Sequence, residues 1–203
     1  MKRHFERPKT LEFWRGDLPH WEVSNALHFV TINLTGSIPL SAALKIRKMR
    51  IDLERLEFSS RYALQKTIFD EMERWLDRRS SVNYLAMPAI AEILIEAFQY
   101  RIDAGIWRVP EFVVMPSHIH FLVEFLKAGL KESLESFKER TARKATKILG
   151  WHGQRFWQRE WFDHWVRSPE EEIEYTNYIR NNPVKAGLVE DYRLWPYGSW
   201  KLR

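Results

Sequence analysis

The sequence contains no cysteine. That excludes disulfides, thiol nucleophiles and every cysteine-ligated zinc or iron–sulfur site, so a metal ion has to be held by histidine, carboxylate or amide groups. No stretch approaches 18 uncharged apolar residues, and no apolar core of signal-peptide length follows the basic residues at the start; a cytoplasmic protein with no membrane partner is the expectation. Only 8 Gly and 9 Pro occur in 203 residues, which excludes collagen-like and low-complexity classes, and 45% hydrophobic against 29% charged residues excludes a disordered chain. A fold of this size buries roughly 70% of the surface its unfolded chain exposes and needs no metal or disulfide staple.

The charge that is present is unevenly placed. The formal net charge is +5. Residues 127–147 hold Lys127, Lys131, Lys138, Arg140, Arg143, Lys144 and Lys147 against Glu132, Glu135 and Glu139, so most of the excess sits in one segment and favours an anionic partner. Of the 10 Trp, Trp151, Trp157, Trp161, Trp165, Trp195 and Trp200 crowd the C-terminal part, where their rings can pack a core or stack on bases.

Residues 1–25 read as an N-terminal arm and residues 26–203 as one domain. Residues 26–34 are apolar and β-rich and stop at Thr35-Gly36, the pattern of a strand. A helical insert over about residues 41–80 follows, with Ile68, Met72, Trp75 and Leu76 at helical spacing. Pro88 opens a third helix, over residues 89–100. Two β-rich runs, residues 107–115 and 118–125, flank Pro116-Ser117 and predict a hairpin. In the second run Ile119, Phe121, Val123 and Phe125 share one face, and His118, His120, Leu122 and Glu124 the other. Leu130, Leu134, Phe137, Thr141, Ala145 and Ile148 predict an amphipathic helix over 130–149, closed by Gly150. Residues 155–167 look strand-like; Ser168-Pro169 starts a last helix expected to stop before Pro183, and a looped tail follows. This order gives an α+β fold, a ferredoxin-like antiparallel sheet with a helical insert and an added C-terminal helix.

Two constellations carry chemistry. His118 and His120 stand at i, i+2 on one strand face, about 7 Å apart, within reach of one divalent ion; taken alone, they read more readily as exposed histidines on a sheet. Tyr178 and Asn182 stand at i, i+4 on a helix and point the same way; taken alone, they read more readily as a core ring and a helix terminator before Pro183.

The segments VMPSHIH (114–120), SFK (136–138), RFWQREWFDHWVR (155–167), YIRNNPVKAGLV (178–189) and WPYGSW (195–200) occur in that order. Together they closely resemble the REP-associated tyrosine transposases, relatives of the single-strand insertion-sequence transposases within the HUH nuclease superfamily. HFVTINLTGSIP (28–39) is similar to that family's first strand, and LDRRS and PAIAEIL to parts of its helical insert. One departure is Ser117, where the family usually has Asn; this loop position is expected to orient the first histidine without binding metal.

The resemblance implies the HUH nuclease fold. It implies His118, His120 and Asn182 as ligands of a divalent cation, Mg²⁺ or Mn²⁺, and Tyr178 as the nucleophile. The reaction implied is metal-dependent cleavage and transfer of single-stranded DNA at REP-type hairpins through a 5′-phosphotyrosine, by a monomer or homodimer associated with the nucleoid. Lys138, Arg140, Arg143, Lys144, Arg159 and Arg167 are candidate phosphate contacts or, equally, solvated surface charges. The alternatives are a catalytically silent hairpin-binding regulator and a replication or mobilisation initiator with the same chemistry; no helicase-like segment accompanies the domain.

Overall fold

The structure is a computed structural model that describes residues 10–15, 19–23, 25–54, 58–76, 78 and 80–202; the first nine residues of the expected arm, and residues 55–57, 77 and 79 of the expected insert, lie outside the described residues. In chain order the elements are β1 (Thr10–Arg15), β2 (Pro19–Val23), β3 (His28–Asn33), α1 (Leu40–Glu54), α2 (Phe58–Leu76), α3 (Pro88–Asp103), β4 (Trp107–Val114), β5 (His118–Phe125), α4 (Leu130–Leu149), β6 (Phe162–Trp165) and α5 (Pro169–Lys185).

Strands β3 to β6 form one antiparallel sheet in the order β4-β5-β3-β6, and β1 and β2 pair separately. Counting from β3, the sheet order is second, third, first, fourth, which is the ferredoxin-like arrangement expected from the sequence. Pro110, which cannot donate to a ladder, falls at the register shift between Arg108 and Glu111 on the edge strand β4, the one kind of strand position that tolerates it.

The sheet carries a core on each face. Val30, Ile32, Phe112, Val114, Ile119, Phe121 and Val123 pack against Ile90, Leu94 and Phe98 of α3 and Leu130, Leu134 and Phe137 of α4. Phe29, Val113, Leu122 and Phe162 pack on the opposite face against Ile46 of α1, Ile68 and Met72 of α2 and Ile179 of α5. The alternation of β5 puts His118 and His120 on this second face, under α2 and α5. α4 follows the expected span and ends at Gly150, whose φ of 65° makes the left-handed cap that glycine adopts without strain. Ile148, assigned to its apolar stripe, is instead exposed, because it lies in the last turn beyond the sheet.

Two expectations are corrected. Residues 155–167 form only the four-residue strand β6, preceded by a single bridge between Leu34 and Trp157. α5 does not stop before Pro183 but runs through it to Lys185. Proline at this point removes one backbone donor near the end of the helix, and the helix closes behind it through Ala186 N to Asn182 O and Leu188 N to Pro183 O. Asn182 is therefore a helical residue, on the same face as Tyr178. The tail folds back: Val114 N donates to Tyr197 O, Trp195 Nε1 donates to Val114 O, and Ser199 Oγ donates to the buried carboxylate of Glu111, which also pairs with Arg180 of α5 at 2.7 Å.

The β1–β2 hairpin is attached through His20. Its buried Nδ1 contacts Asp163 of β6, its Nε2 lies 3.3 Å from Glu160, and its ring lies 4.8 Å from that of Trp161. Burial alone would lower the pKa of His20, but the Asp163 and Glu160 carboxylates outweigh it and hold the value up at about 9. A raised folded-state pKa contributes stability that is full below the unfolded value of 6.5 and is lost as pH rises through about 9. We expect His20→Gln to cost about 3 kcal/mol in denaturant melts near pH 6, as for one partner of a buried pair, with the difference from wild type shrinking towards pH 10. A difference that does not vary with pH would contradict this role for His20.

Candidate metal centre and nucleophile

The site is built on Phe29, Thr31 and Asn33 of β3 and on His118, His120 and Leu122 of β5. The antiparallel register places Thr31 opposite His120 and Asn33 opposite His118. Each imidazole is held through its Nδ1: Thr31 Oγ1 lies 2.8 Å from that of His120 and Ser117 Oγ lies 3.1 Å from that of His118. Both Nε2 atoms are thereby turned inward, with the two ring centres 4.6 Å apart. Ser117 thus makes the orienting contact expected of its position. The reading of this pair as exposed histidines on a sheet fails, since His118 is 1% and His120 0% exposed.

α5 brings Tyr178 and Asn182 to the same place. Asn182 is 1% exposed and lies beside His118. The Tyr178 ring stands 5.4 Å from that of His120, and its hydroxyl donates to Oε2 of Glu73. Tyr175, one turn earlier, stacks on Phe29 at 4.4 Å and lies beside His164. The helix register therefore brings Tyr178, and not Tyr175, to the imidazoles.

Glu73 was not picked out from the sequence. It lies on α2 and is 4% exposed, with Oε2 3.4 Å from His120 Nε2. Burial would raise its pKa, but His120, His118 and the Tyr178 hydroxyl hold it below the ordinary carboxylate value. Nothing in the spacing marked it, because Glu71 is buried on the same helix turn and serves Lys45, Arg74 and Trp75 instead.

Ligand atoms of Glu73, His118 and His120 all lie within 4.8 Å of one another. His118 Nε2, His120 Nε2, Glu73 Oε1 and both amide atoms of Asn182 are buried with no hydrogen-bond partner. An unpaired buried polar atom costs about 1–3 kcal/mol, so this many side by side mark a place made for something else. Two imidazoles, a carboxylate and an amide oxygen suit a divalent cation of borderline to hard character.

The candidate phosphate contacts are spread more widely. Lys138, Arg140, Arg143 and Lys144 lie on α4, on the sheet face opposite the imidazoles. Lys138 donates to Arg159 O at 2.6 Å and sits over the Trp161 ring, Arg143 pairs with Glu139 and Lys144 with Glu96, and Arg140 is exposed. Arg159 and Arg167 are exposed beside β6, Arg167 over Trp165. None of the six reaches the cluster of His118, His120, Tyr178 and Asn182.

Residues 78–182 match the family described as Transposase IS200 like. This chain belongs to that family. A Haemophilus influenzae protein named as a REP-associated tyrosine transposase is 28% identical over 102 residues, covering 43% of this chain and 55% of that one, and an uncharacterised protein of the same organism is 24% identical over 98 residues, 38% and 54%. The chain thus spans about half the length of the curated relatives it matches. Among solved structures, a REP-associated tyrosine transposase bound to a REP hairpin is similar over 90% of this chain and 81% of that one, with a TM-score of 0.54 at 17% identity. The fold is shared with that protein, and the ferredoxin-like HUH arrangement read from the sequence is borne out. Among the described residues no helix is long and apolar enough to cross a membrane.

Burial, together with the neighbouring His120, lowers the His118 pKa from 6.5 to about 3. The imidazole is then neutral at neutral pH, the form a metal ligand needs. A lowered folded-state pKa means that only the unfolded chain takes up this proton as pH falls below 6.5, so the fold loses stability there. NMR of ¹⁵N-histidine at pH 5 without added metal should show His118 in its neutral form; a titration midpoint near 6.5 would contradict the burial described.

Proposed function

We propose that this chain is a metal-dependent single-strand DNA endonuclease and strand transferase that acts on REP-type hairpins through a covalent 5′-phosphotyrosine at Tyr178. The observation that carries this reading is the Tyr178 hydroxyl among the unpartnered ligand atoms of His118, His120 and Asn182 and hydrogen-bonded to Glu73. A divalent cation, Mg²⁺ or Mn²⁺, held by His118, His120 and Asn182, would polarise a phosphodiester and favour the ionised phenol.

The residues of this chain supply the rest. A phenol has an ordinary pKa near 10 and at neutral pH needs an acceptor for its proton. Tyr178 Oη attacks phosphorus, its proton passes to Glu73 Oε2, which accepts its hydrogen bond, and the P–O3′ bond breaks as the P–Oη bond forms, the leaving O3′ taking a proton from water to become a 3′-hydroxyl. The phosphoester is conserved in the new bond, so a second 3′-hydroxyl can displace Tyr178 and reseal a strand without ATP. Thr31 and Ser117 keep both imidazoles turned inward. Phe29, against the rings of His120, Tyr175 and Tyr178, fixes the distance of the nucleophile helix from the sheet.

Hairpin DNA is the partner this reading requires, and the structural relative bound to a REP hairpin supports it. The exposed Arg140, Arg143 and Lys144, with Lys138, Arg159 and Arg167, would contact stem phosphates away from the cut, since α4 lies on the far side of the sheet.

With labelled hairpin DNA and Mn²⁺, the wild-type protein should give a covalent adduct that survives a denaturing gel. Tyr178→Phe should abolish the adduct and cleavage, with hairpin affinity within about twofold of wild type because a single hydroxyl is lost, and Tyr175→Phe should retain most activity. Tight hairpin binding without any adduct would favour the silent regulator, and an adduct that survives in Tyr178→Phe would refute the assignment.

A further inference from the structure

The helical insert contributes to the centre in a way the family match does not cover. α2 ends at Leu76, and the residues that match the family begin at 78. Yet Glu73 puts the only acidic group of the described cluster against both imidazoles. Its two oxygens are differently placed. Oε2 accepts from the Tyr178 hydroxyl and lies 3.4 Å from His120 Nε2, while Oε1 is buried without a partner. Around it, α2 meets the sheet and α5 through apolar side chains: Ile68 and Met72 lie in the core, and the Phe69 ring stands edge-on to Phe29 at 5.4 Å and near Tyr178 at 5.7 Å.

Resting on the metal-dependent reading above, we propose that Glu73 makes the helical insert part of the metal centre. Its carboxylate joins His118 and His120 as the anionic ligand and holds the Tyr178 hydroxyl against them, so that cation binding and docking of α2 are coupled. A carboxylate that merely filled the space of an absent cation would compete with it. An anionic ligand instead raises affinity for a hard divalent ion, since ligand charge is a main determinant of how tightly such sites bind. One carboxylate shared between nucleophile and cation also explains why a buried acid stands among the apolar residues by which α2 meets the sheet.

The two possibilities have opposite signs in a metal titration. Isothermal titration of the full chain with Mn²⁺ should show one site in wild type, no measurable binding in His120→Gln, and binding weakened at least tenfold in Glu73→Gln. Binding in Glu73→Gln that is equal to or tighter than wild type would overturn the proposal while leaving the metal site intact. A wild-type protein that binds no Mn²⁺ would remove the underlying reading, and this proposal with it.

Should Glu73→Gln not fold, hydrogen exchange of the wild-type chain with and without Mg²⁺ tests the same coupling. Slowed exchange across residues 66–76 on adding Mg²⁺ supports it. Slowing confined to residues 118–120 and 178–182 overturns it.

Discussion

The structure turns on a group of polar atoms that it buries and does not satisfy. His118 Nε2, His120 Nε2, Glu73 Oε1 and the Asn182 amide meet where the sheet, α2 and α5 converge. Left empty, such a cluster works against folding, so the surrounding packing has to hold it together. The Phe29 ring, the second core face and the apolar contacts of α2 and α5 supply that packing. A cation would turn the same cost into binding energy, because the ligands are already assembled and the imidazoles already oriented.

The chain has few means of doing this. With no cysteine, a metal centre needs histidine and carboxylate, and both imidazoles come from alternate residues of one strand. A strand fixes where side chains point but not how rings rotate. Thr31 and Ser117 provide that second constraint, each engaging one Nδ1, an arrangement in which outer contacts commonly decide affinity and ring orientation. Tyr178 is placed differently, by the i, i+4 geometry of α5, which survives Pro183 and so keeps Tyr178 and Asn182 on one face.

Much of this is legible in the sequence. Period-two alternation in residues 118–125 put both histidines opposite Ile119 and Phe121, and the 3.6-residue period gave α4 its full span. The ferredoxin-like strand order followed from the order of elements. What was hidden depends on contacts distant in sequence. Glu73 lies 105 residues from Tyr178, and in DEMERW it has the same local surroundings as Glu71, which faces Lys45 and Arg74 instead. The burial of the histidines is equally invisible, because it is α2 and α5, not the strand, that cover them. Pro183 misled for a local reason: proline disfavours continuation but does not forbid it near a helix end, where few backbone bonds remain to be lost. Basic residues on α4 signalled an anionic partner, yet only the packed sheet reveals that they face away from Tyr178.

The match to the IS200-like transposase family takes in the histidine pair of β5 and most of α5, up to Asn182. The physical core of the account is narrower, namely that the converging imidazoles form a cation site next to Tyr178. Anomalous diffraction at the manganese edge, from crystals of the wild-type chain grown with Mn²⁺, tests this directly. The account predicts a single strong peak about 2.2 Å from the Nε2 atoms of both His118 and His120. An empty cluster in crystals that bind manganese elsewhere would contradict it.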